Sequence, residues 1–151
     1  MAVKAIPEGY YSLTPYLVVK GAAEAIDFYK KAFGATEMMR MPGPGGRIMH
    51  AEVKIGNSML MLSDENAEQG QVSPATLGGS GCSVMLYTDD VDATFKRAVD
   101  AGAQAVMPPM DMFWGDRMGN LKDPFGHSWA VATHKEDVSP DEMQKRMAAM
   151  K

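Results

Sequence analysis

The chain has 151 residues and a mass of 16.4 kDa, which is the length of one domain. Its single cysteine excludes an internal disulfide and a cysteine-rich zinc site, and no apolar run is long enough to span a membrane. The formal net charge of −4 argues against nucleic-acid binding, and the first residues lack the apolar core of a secretory signal. We therefore predict a cytoplasmic globular protein that binds neither nucleic acid nor membrane. Methionine, with 15 residues, is the one unusual figure.

The first half of the chain has the pattern of a strand, a helix and three more strands. Apolar residues recur at helical spacing from Ala22 to Phe33, and Gly34 follows as a helix end. A proline- and glycine-rich loop covers residues 42–46, and Gly56-Asn57 is typical of a tight hairpin turn. The predicted strands of this half cover residues 14–19, 35–41, 47–55 and 58–63.

The same order of elements returns after a polar connection, residues 64–80, whose end is rich in glycine. A second helix is expected after Asp90, whose carboxylate can cap it, and Gly102 stops it. Prolines 108 and 109 are expected to close the strand that follows this helix. The predicted strands of this half cover residues 82–88, 104–107, 116–122 and 128–133.

A last helix is predicted at the carboxyl end of the chain. Ser139 can cap it, and Pro140 suits its first position. Three methionines then form a narrow apolar stripe at positions 143, 147 and 150. We expect this helix to dock on its own domain or on a partner subunit.

Five segments of the chain resemble the vicinal oxygen chelate superfamily, which contains glyoxalase I, extradiol dioxygenases and the bleomycin and fosfomycin resistance proteins. The similarity extends from residue 12 to residue 137 and is strongest to the PhnB-like branch. The segments that carry the resemblance are Pro15-Tyr16-Leu17-Val18-Val19, residues 25–35, Ile48-Met49-His50-Ala51-Glu52, Phe113-Trp114-Gly115-Asp116-Arg117 and residues 123–129.

This resemblance implies an α+β fold in which two βαβββ modules form curved mixed sheets around a cavity. The helices would cover the convex faces, and homodimers are expected because many members of the superfamily are homodimers. The implied organisation is a single domain over residues 1–137 and a helical tail over 138–151. Within the domain, module one covers about 12–63, a linker 64–81 and module two about 82–134.

Metal-dependent relatives place their ligands on the first and last strands of each module. The resemblance assigns these four positions to residues without an imidazole or a carboxylate, which are the groups that a hard divalent metal prefers. We therefore predict no metal at the usual site and no cofactor. The residues at the four positions are Thr14, Met61, Ser83 and Ala130.

His50 and Glu52 are the alternative polar pair. They alternate with Met49, Ala51 and Val53 on one predicted strand, so both should face the cavity, about 7 Å apart. They could contact a ligand, hold a metal at a non-standard site, or perform acid–base chemistry. In the alternative interpretation, Glu52 only orients His50.

Residues 113–117 combine two aromatic rings with an Asp-Arg pair. Trp114 could stack on a planar ligand and Arg117 could bind its carboxylate or phosphate, with Tyr16 as a further wall. The structural alternative is a tryptophan lid with an internal Asp–Arg salt bridge. Both alternatives are open at this point.

Other reactive side chains receive structural interpretations. His127 is expected to stabilise a turn, and His134 to be exposed near the tail. Cys82 is expected to be a buried, inert thiol that points at a helix, and Trp129 to be part of the core.

Methionines 61 and 85 should face the cavity, where they either fill core space or form a soft apolar pocket. We favour a metal-independent small-molecule binding protein with an apolar Met/aromatic cavity. The alternative is a glyoxalase-like lyase or dioxygenase with a non-standard metal site at His50 and Glu52. A third possibility is a regulatory protein whose tail helix binds a partner.

Overall fold

A computed structural model describes residues 2–150 as two four-stranded mixed sheets with helices. Strand order is β1-β4-β3-β2 in the first sheet and β5-β8-β7-β6 in the second, and only the β1–β4 and β5–β8 pairs are parallel. The predicted α+β class and its repeated βαβββ order are therefore confirmed. The elements are β1 (Tyr16–Val19), α1 (Ala22–Phe33), β2 (Thr36–Pro42), β3 (Ile48–Ile55), β4 (Ser58–Asp64), α2 (Pro74–Leu77), β5 (Ser83–Tyr87), α3 (Val91–Asp100), β6 (Gln104–Asp111), β7 (Asp116–Lys122), β8 (Ser128–His134) and α4 (Pro140–Ala148).

Helix α1 forms where the apolar spacing predicts it. Gly34 adopts a positive φ of 67° at its end, and its N–H donates back to the helix carbonyls. The start of the helix is capped from a distance: one carboxylate oxygen of Asp64 accepts hydrogen bonds from the N–H groups of Gly21 and Ala22, at 2.9 and 2.8 Å. This cap ties α1 to the end of β4.

Each sheet buries one face under its helix and leaves the other uncovered by it. In the first sheet Ala51, Val53, Leu60 and Leu62 are buried in the core against α1. Because side chains alternate along a strand, the residues between them point the other way. We call this other side the open face of the first sheet.

The two modules share one apolar core. The rings of Phe33 on α1 and Trp129 on β8 lie 4.6 Å apart, and α1 also packs on α3. Beneath them the hydroxyl of Tyr29 and the indole N–H of Trp129 donate to the same carboxylate oxygen of Asp123, at 2.7 and 2.9 Å. Trp129 is thus in the core, as predicted.

Two strand boundaries differ from the prediction by two residues or more, and proline explains both. β1 begins at Tyr16 rather than at residue 14, since Pro15 has no N–H to donate to a ladder. β6 continues through Pro108 and Pro109 to Asp111 instead of ending before them. It can do so because it is an edge strand, and its register with β7 shifts between Met107 and Met110.

The prediction for Cys82 is wrong. Its side chain is exposed and precedes β5, which begins one residue later. Alternation therefore does not place it against a helix. The connection over residues 64–80 also differs from a plain loop, since it contains the short helix α2.

The tail helix α4 begins as predicted, with the Ser139 hydroxyl accepting from the N–H of Glu142. Arg146 binds the carboxylate of Glu136, with the shorter distance at 2.6 Å. Met143 is half-buried, but Met147 remains 55% exposed. Within residues 2–150 no helix is both long and apolar enough to cross a membrane.

Candidate ligand-binding site

Four of the residues singled out in the sequence meet on the open face of the first sheet. Met61 on β4 lies opposite Tyr16 on one side and Glu52 on the other. His50 is two residues from Glu52 on β3 and therefore shares its face. The structure thus brings together side chains from three strands.

A continuous chain of hydrogen bonds, which we call the polar chain, runs across this face. The Tyr16 hydroxyl lies 3.0 Å from Nδ1 of His50, and Nε2 of His50 lies 3.1 Å from Oε1 of Glu52. Because a carboxylate only accepts, Nε2 of His50 donates the hydrogen bond to Glu52. Both ring nitrogens of His50 are therefore engaged, and Glu52 does orient this imidazole.

Tyr10 completes the polar chain, and the sequence did not predict this role. Its hydroxyl donates to Oε2 of Glu52, 42 residues away along the chain. Tyr10 lies in an irregular segment before β1, so no periodicity connects it with β3. The adjacent pair Tyr10-Tyr11 in a segment without periodicity was the only available signal.

Within the polar chain, the carboxylate of Glu52 is ionised at neutral pH. The hydrogen bond from Tyr10 lowers the pKa of Glu52, and the bond from His50 lowers it further, against the effect of burial. Burial of the phenol, together with the hydrogen bond and charge of Glu52, raises the pKa of Tyr10 to about 12. Glu52 is thus an anionic acceptor and Tyr10 a neutral donor.

Methionines border the polar chain. Met39 and Met41 on β2 lie opposite Glu52 and His50, and they are 37% and 51% exposed. Together with Met61 they give the open face a soft apolar surface around one acidic group.

Met85 lies elsewhere, in a cavity of about 620 Å³ between the modules. Met59 and Tyr87 also line this cavity, and so does Thr14, one of the four usual metal positions. Met61 therefore lies on the open face of the first sheet, whereas Met85 lies on the second sheet, where it is 45% exposed and borders this cavity.

Arg117 is placed away from both surfaces. On β7 it shares a side with Gly119, which packs against Phe95 of α3, so it points toward the helix. Its guanidinium contacts the carboxylate of Asp92 at 2.8 and 2.9 Å and that of Asp111 at 3.2 Å. These bonds raise the pKa of Arg117 further above its ordinary value. The structural alternative applies, but with Asp92 and Asp111 rather than the adjacent Asp116.

Trp114 belongs to a second polar cluster, which the sequence analysis did not find. Its indole N–H lies 3.2 Å from the buried carboxylate of Asp116, which also accepts from the Tyr87 hydroxyl at 2.9 Å. Nδ1 of His134 lies 2.7 Å from Asp116, and its Nε2 lies 2.8 Å from Asp137. These bonds, the one to Asp116 first, raise the pKa of His134. His134 is exposed, as predicted.

His127 has a structural contact between the modules. Its Nε2 lies 2.9 Å from the backbone carbonyl of Val18 on β1, while its backbone N–H donates to the Asp123 carboxylate within the β7–β8 turn.

The side chains at the usual metal positions do not fit a divalent metal centre. Thr14, Met61, Ser83 and Ala130 supply two hydroxyls, a thioether and a methyl group, and the Ser83 hydroxyl lies 3.3 Å from the carbonyl of Ser128. Across residues 2–150, no three His, Cys, Asp or Glu side chains are grouped so that they could hold an ion.

Comparison with known proteins agrees with this fold. The family model described as Glyoxalase/Bleomycin resistance protein/Dioxygenase superfamily matches residues 11–131. An uncharacterized protein of Mycobacterium tuberculosis is 43% identical over 141 residues, 91% of this chain and 83% of that protein.

Two solved structures are also similar. The crystal structure of TioX from Micromonospora sp. ML1 has a TM-score of 0.66 and 32% identity, covering 82% of this chain and 98% of that one. A PhnB protein from Bacillus cereus has a TM-score of 0.63 and covers 82% of this chain and 99% of that one; at 18% identity it shows the fold alone. The family model thereby confirms the resemblance to the superfamily, and a PhnB protein shares its fold.

Proposed function

The chain belongs to the glyoxalase/bleomycin resistance protein/dioxygenase superfamily, and on this scaffold we propose that it acts as a metal-independent small-molecule binding protein. The observation that carries the proposal is the open face of the first sheet. There, one oriented carboxylate lies within a methionine and tyrosine surface. A few polar groups in an apolar surface are typical of small-molecule sites.

The polar chain supplies orientation and the methionines supply contact area. Glu52 and His50 hold each other in place, so a ligand group that reaches them meets a fixed acceptor. Thioether side chains adapt their shape and make favourable contacts with aromatic rings. This combination favours a neutral, largely apolar ligand with one hydrogen-bond donor.

A fluorescence titration with the neutral probe N-phenyl-1-naphthylamine tests the site. We expect Met61→Lys to weaken binding about tenfold or more, because it places a charge among the methionines that would contact the apolar probe. The matched control, Met147→Lys on α4, should bind like wild type. Equal binding by the two variants, or no binding by wild type, would contradict the proposal.

The alternative, a lyase or dioxygenase with a metal at His50 and Glu52, has less support. Both nitrogens of His50 already have protein partners, so a metal would have to displace Tyr16 or Glu52. Two donors also fall short of the three protein ligands that catalytic metal sites commonly have.

Metal analysis separates the two functions. After incubation with iron(II), nickel(II), zinc(II) or manganese(II) and dialysis, we expect no stoichiometric metal and no change in probe affinity. Bound metal that is lost in His50→Ala would favour the enzyme and overturn metal independence.

We also propose that two copies associate through the faces that the helices leave uncovered. Tyr16 on the first sheet and Met85 and Tyr87 on the second are 42%, 45% and 58% exposed, and large exposed apolar side chains on uncovered sheet faces are typical of interfaces. A reducing, cytoplasmic location is proposed because the exposed Cys82 has no second cysteine in the sequence to pair with.

A further inference from the structure

The segment that covers the polar chain has little else to hold it. We call residues 2–13 the N-terminal arm. Every residue of the arm except Tyr10 is exposed, and the arm contains no helix or strand. Among the described residues, the bond from Tyr10 to Glu52 is the one hydrogen bond that joins the arm to the rest of the protein. The arm is therefore held chiefly by one phenol.

The contact that Tyr10 makes has the chemistry of a ligand contact. A neutral phenol donates to one oxygen of Glu52, while His50 fixes the other oxygen. Hydrogen bonds to an ionised acceptor are stronger than those between neutral groups. The carboxylate also disfavours an anionic ligand at the same point.

We propose that Tyr10 is an internal substitute for the ligand, and that Glu52 binds the hydroxyl group of an aromatic alcohol, a phenol or naphthol, which displaces the arm. The inference rests on the proposed function and adds the class of ligand. The aromatic ring would lie among Met39, Met41 and Met61, as the thioether surface favours. The hydroxyl would donate to Glu52 where Tyr10 now does.

Competition by the arm lowers the apparent affinity for such a ligand. A ligand that binds only when the arm is displaced binds in proportion to the fraction of molecules in which the arm is already free. Removing the Tyr10 hydroxyl increases that fraction without changing Glu52 or the methionines.

The experiment compares 2-naphthol with 2-methoxynaphthalene, which has the same rings but no donor. Affinities are measured by fluorescence titration for wild type, Tyr10→Phe, Tyr11→Phe and the double variant Tyr10→Phe/Glu52→Gln. Tyr11 is the matched control because it is the neighbouring tyrosine, is 62% exposed and borders the inter-module cavity instead. Thermal melting checks that each variant is folded.

We expect Tyr10→Phe to bind 2-naphthol at least about threefold more tightly than wild type, and Tyr11→Phe to bind it equally. In Tyr10→Phe, 2-naphthol should bind about tenfold more tightly than 2-methoxynaphthalene, and this preference should be lost with Glu52→Gln.

Each other result has a distinct meaning. Unchanged or weaker 2-naphthol binding by Tyr10→Phe, or a preference that survives Glu52→Gln, overturns the inference alone while probe binding upholds the proposed function. A changed affinity of Tyr11→Phe for 2-naphthol places the ligand in the inter-module cavity and also overturns the inference. If neither naphthalene binds any variant, both the inference and the proposed site fail.

Discussion

At the scale of single residues, one carboxylate links the modules. Asp123 lies in the β7–β8 turn, yet it accepts from Tyr29 of α1 and from Trp129 of β8 in the buried core. Its second oxygen accepts from the backbone N–H groups of Phe125 and His127. The turn motif predicted the turn from Asp123 to Gly126, but nothing local indicated the buried partner Tyr29, 94 residues away.

Asp123→Ala should lower the free energy of unfolding by about 3 kcal/mol or more, because it leaves two buried donors without an acceptor. Tyr29→Phe removes one donor and should cost about 1 kcal/mol. Urea denaturation measures both. Asp27→Ala, on the exposed side of α1, is the control, and an equal effect of Asp27→Ala and Asp123→Ala would contradict the argument.

The pair formed by Asp116 and His134 makes stability depend on pH. The folded state raises the pKa of His134 above its ordinary value of 6.5. A raised pKa means that the folded protein binds the proton more tightly, so the stabilising contribution is complete below pH 6.5 and is lost as the pH rises through the folded pKa.

We therefore expect the difference in melting temperature between wild type and His134→Gln to shrink from about pH 5.5 to about pH 8.5. A difference that is constant or grows with pH would show that His134 does not act through its charge. Solvent screens this exposed side chain, so the effect should be small in absolute terms.

At the scale of elements, the turn between β6 and β7 anchors the tail. The carbonyl of Gly115 accepts from the N–H groups of Lys135 and Glu136, at 2.9 and 3.1 Å. Gly115 has a φ of 103°, and a Cβ there would lie 2.1 Å from the backbone oxygen of Glu136. The helix α4 itself was predictable from its cap and first turn, whereas this anchor was not.

Gly115→Ala should detach the segment leading to α4, because the backbone oxygen of Glu136 cannot give way as a flexible side chain could. Faster hydrogen exchange over residues 135–148 would report it. Gly45→Ala is the matched control: its φ is also positive, at 70°, but no atom lies within 4 Å of an added Cβ. Gly45→Ala should lower the free energy of unfolding by only about 1 kcal/mol. Equal hydrogen exchange over residues 135–148 in both variants would contradict this role of Gly115.

At the scale of the whole molecule, the helices face each other and the open sides of both sheets face outward from them. α1 and α3 pack together in the core, which leaves Tyr16 and Met85 exposed on their strands. A single copy therefore leaves apolar side chains uncovered on the sheet faces, and the proposed association would bury them.

Sedimentation velocity should find wild type as a dimer and Met85→Lys shifted toward monomer, because a charge in an apolar interface is costly. Met147→Lys, on the exposed stripe of α4, should sediment as wild type does. A Met85→Lys variant that remains fully dimeric would place the interface elsewhere.

The sequence by itself determined the repeated order of elements, the apolar face of α1, and the face of β3 that His50 and Glu52 share. These follow from local periodicity and capping, which neighbouring residues specify. Only the tertiary structure decided that Tyr10 reaches Glu52, that Arg117 pairs with Asp92 and that Asp123 joins the modules. Those contacts link residues 25 to 94 positions apart, and spacing in the sequence carries no information about such distances once the chain has turned back on itself.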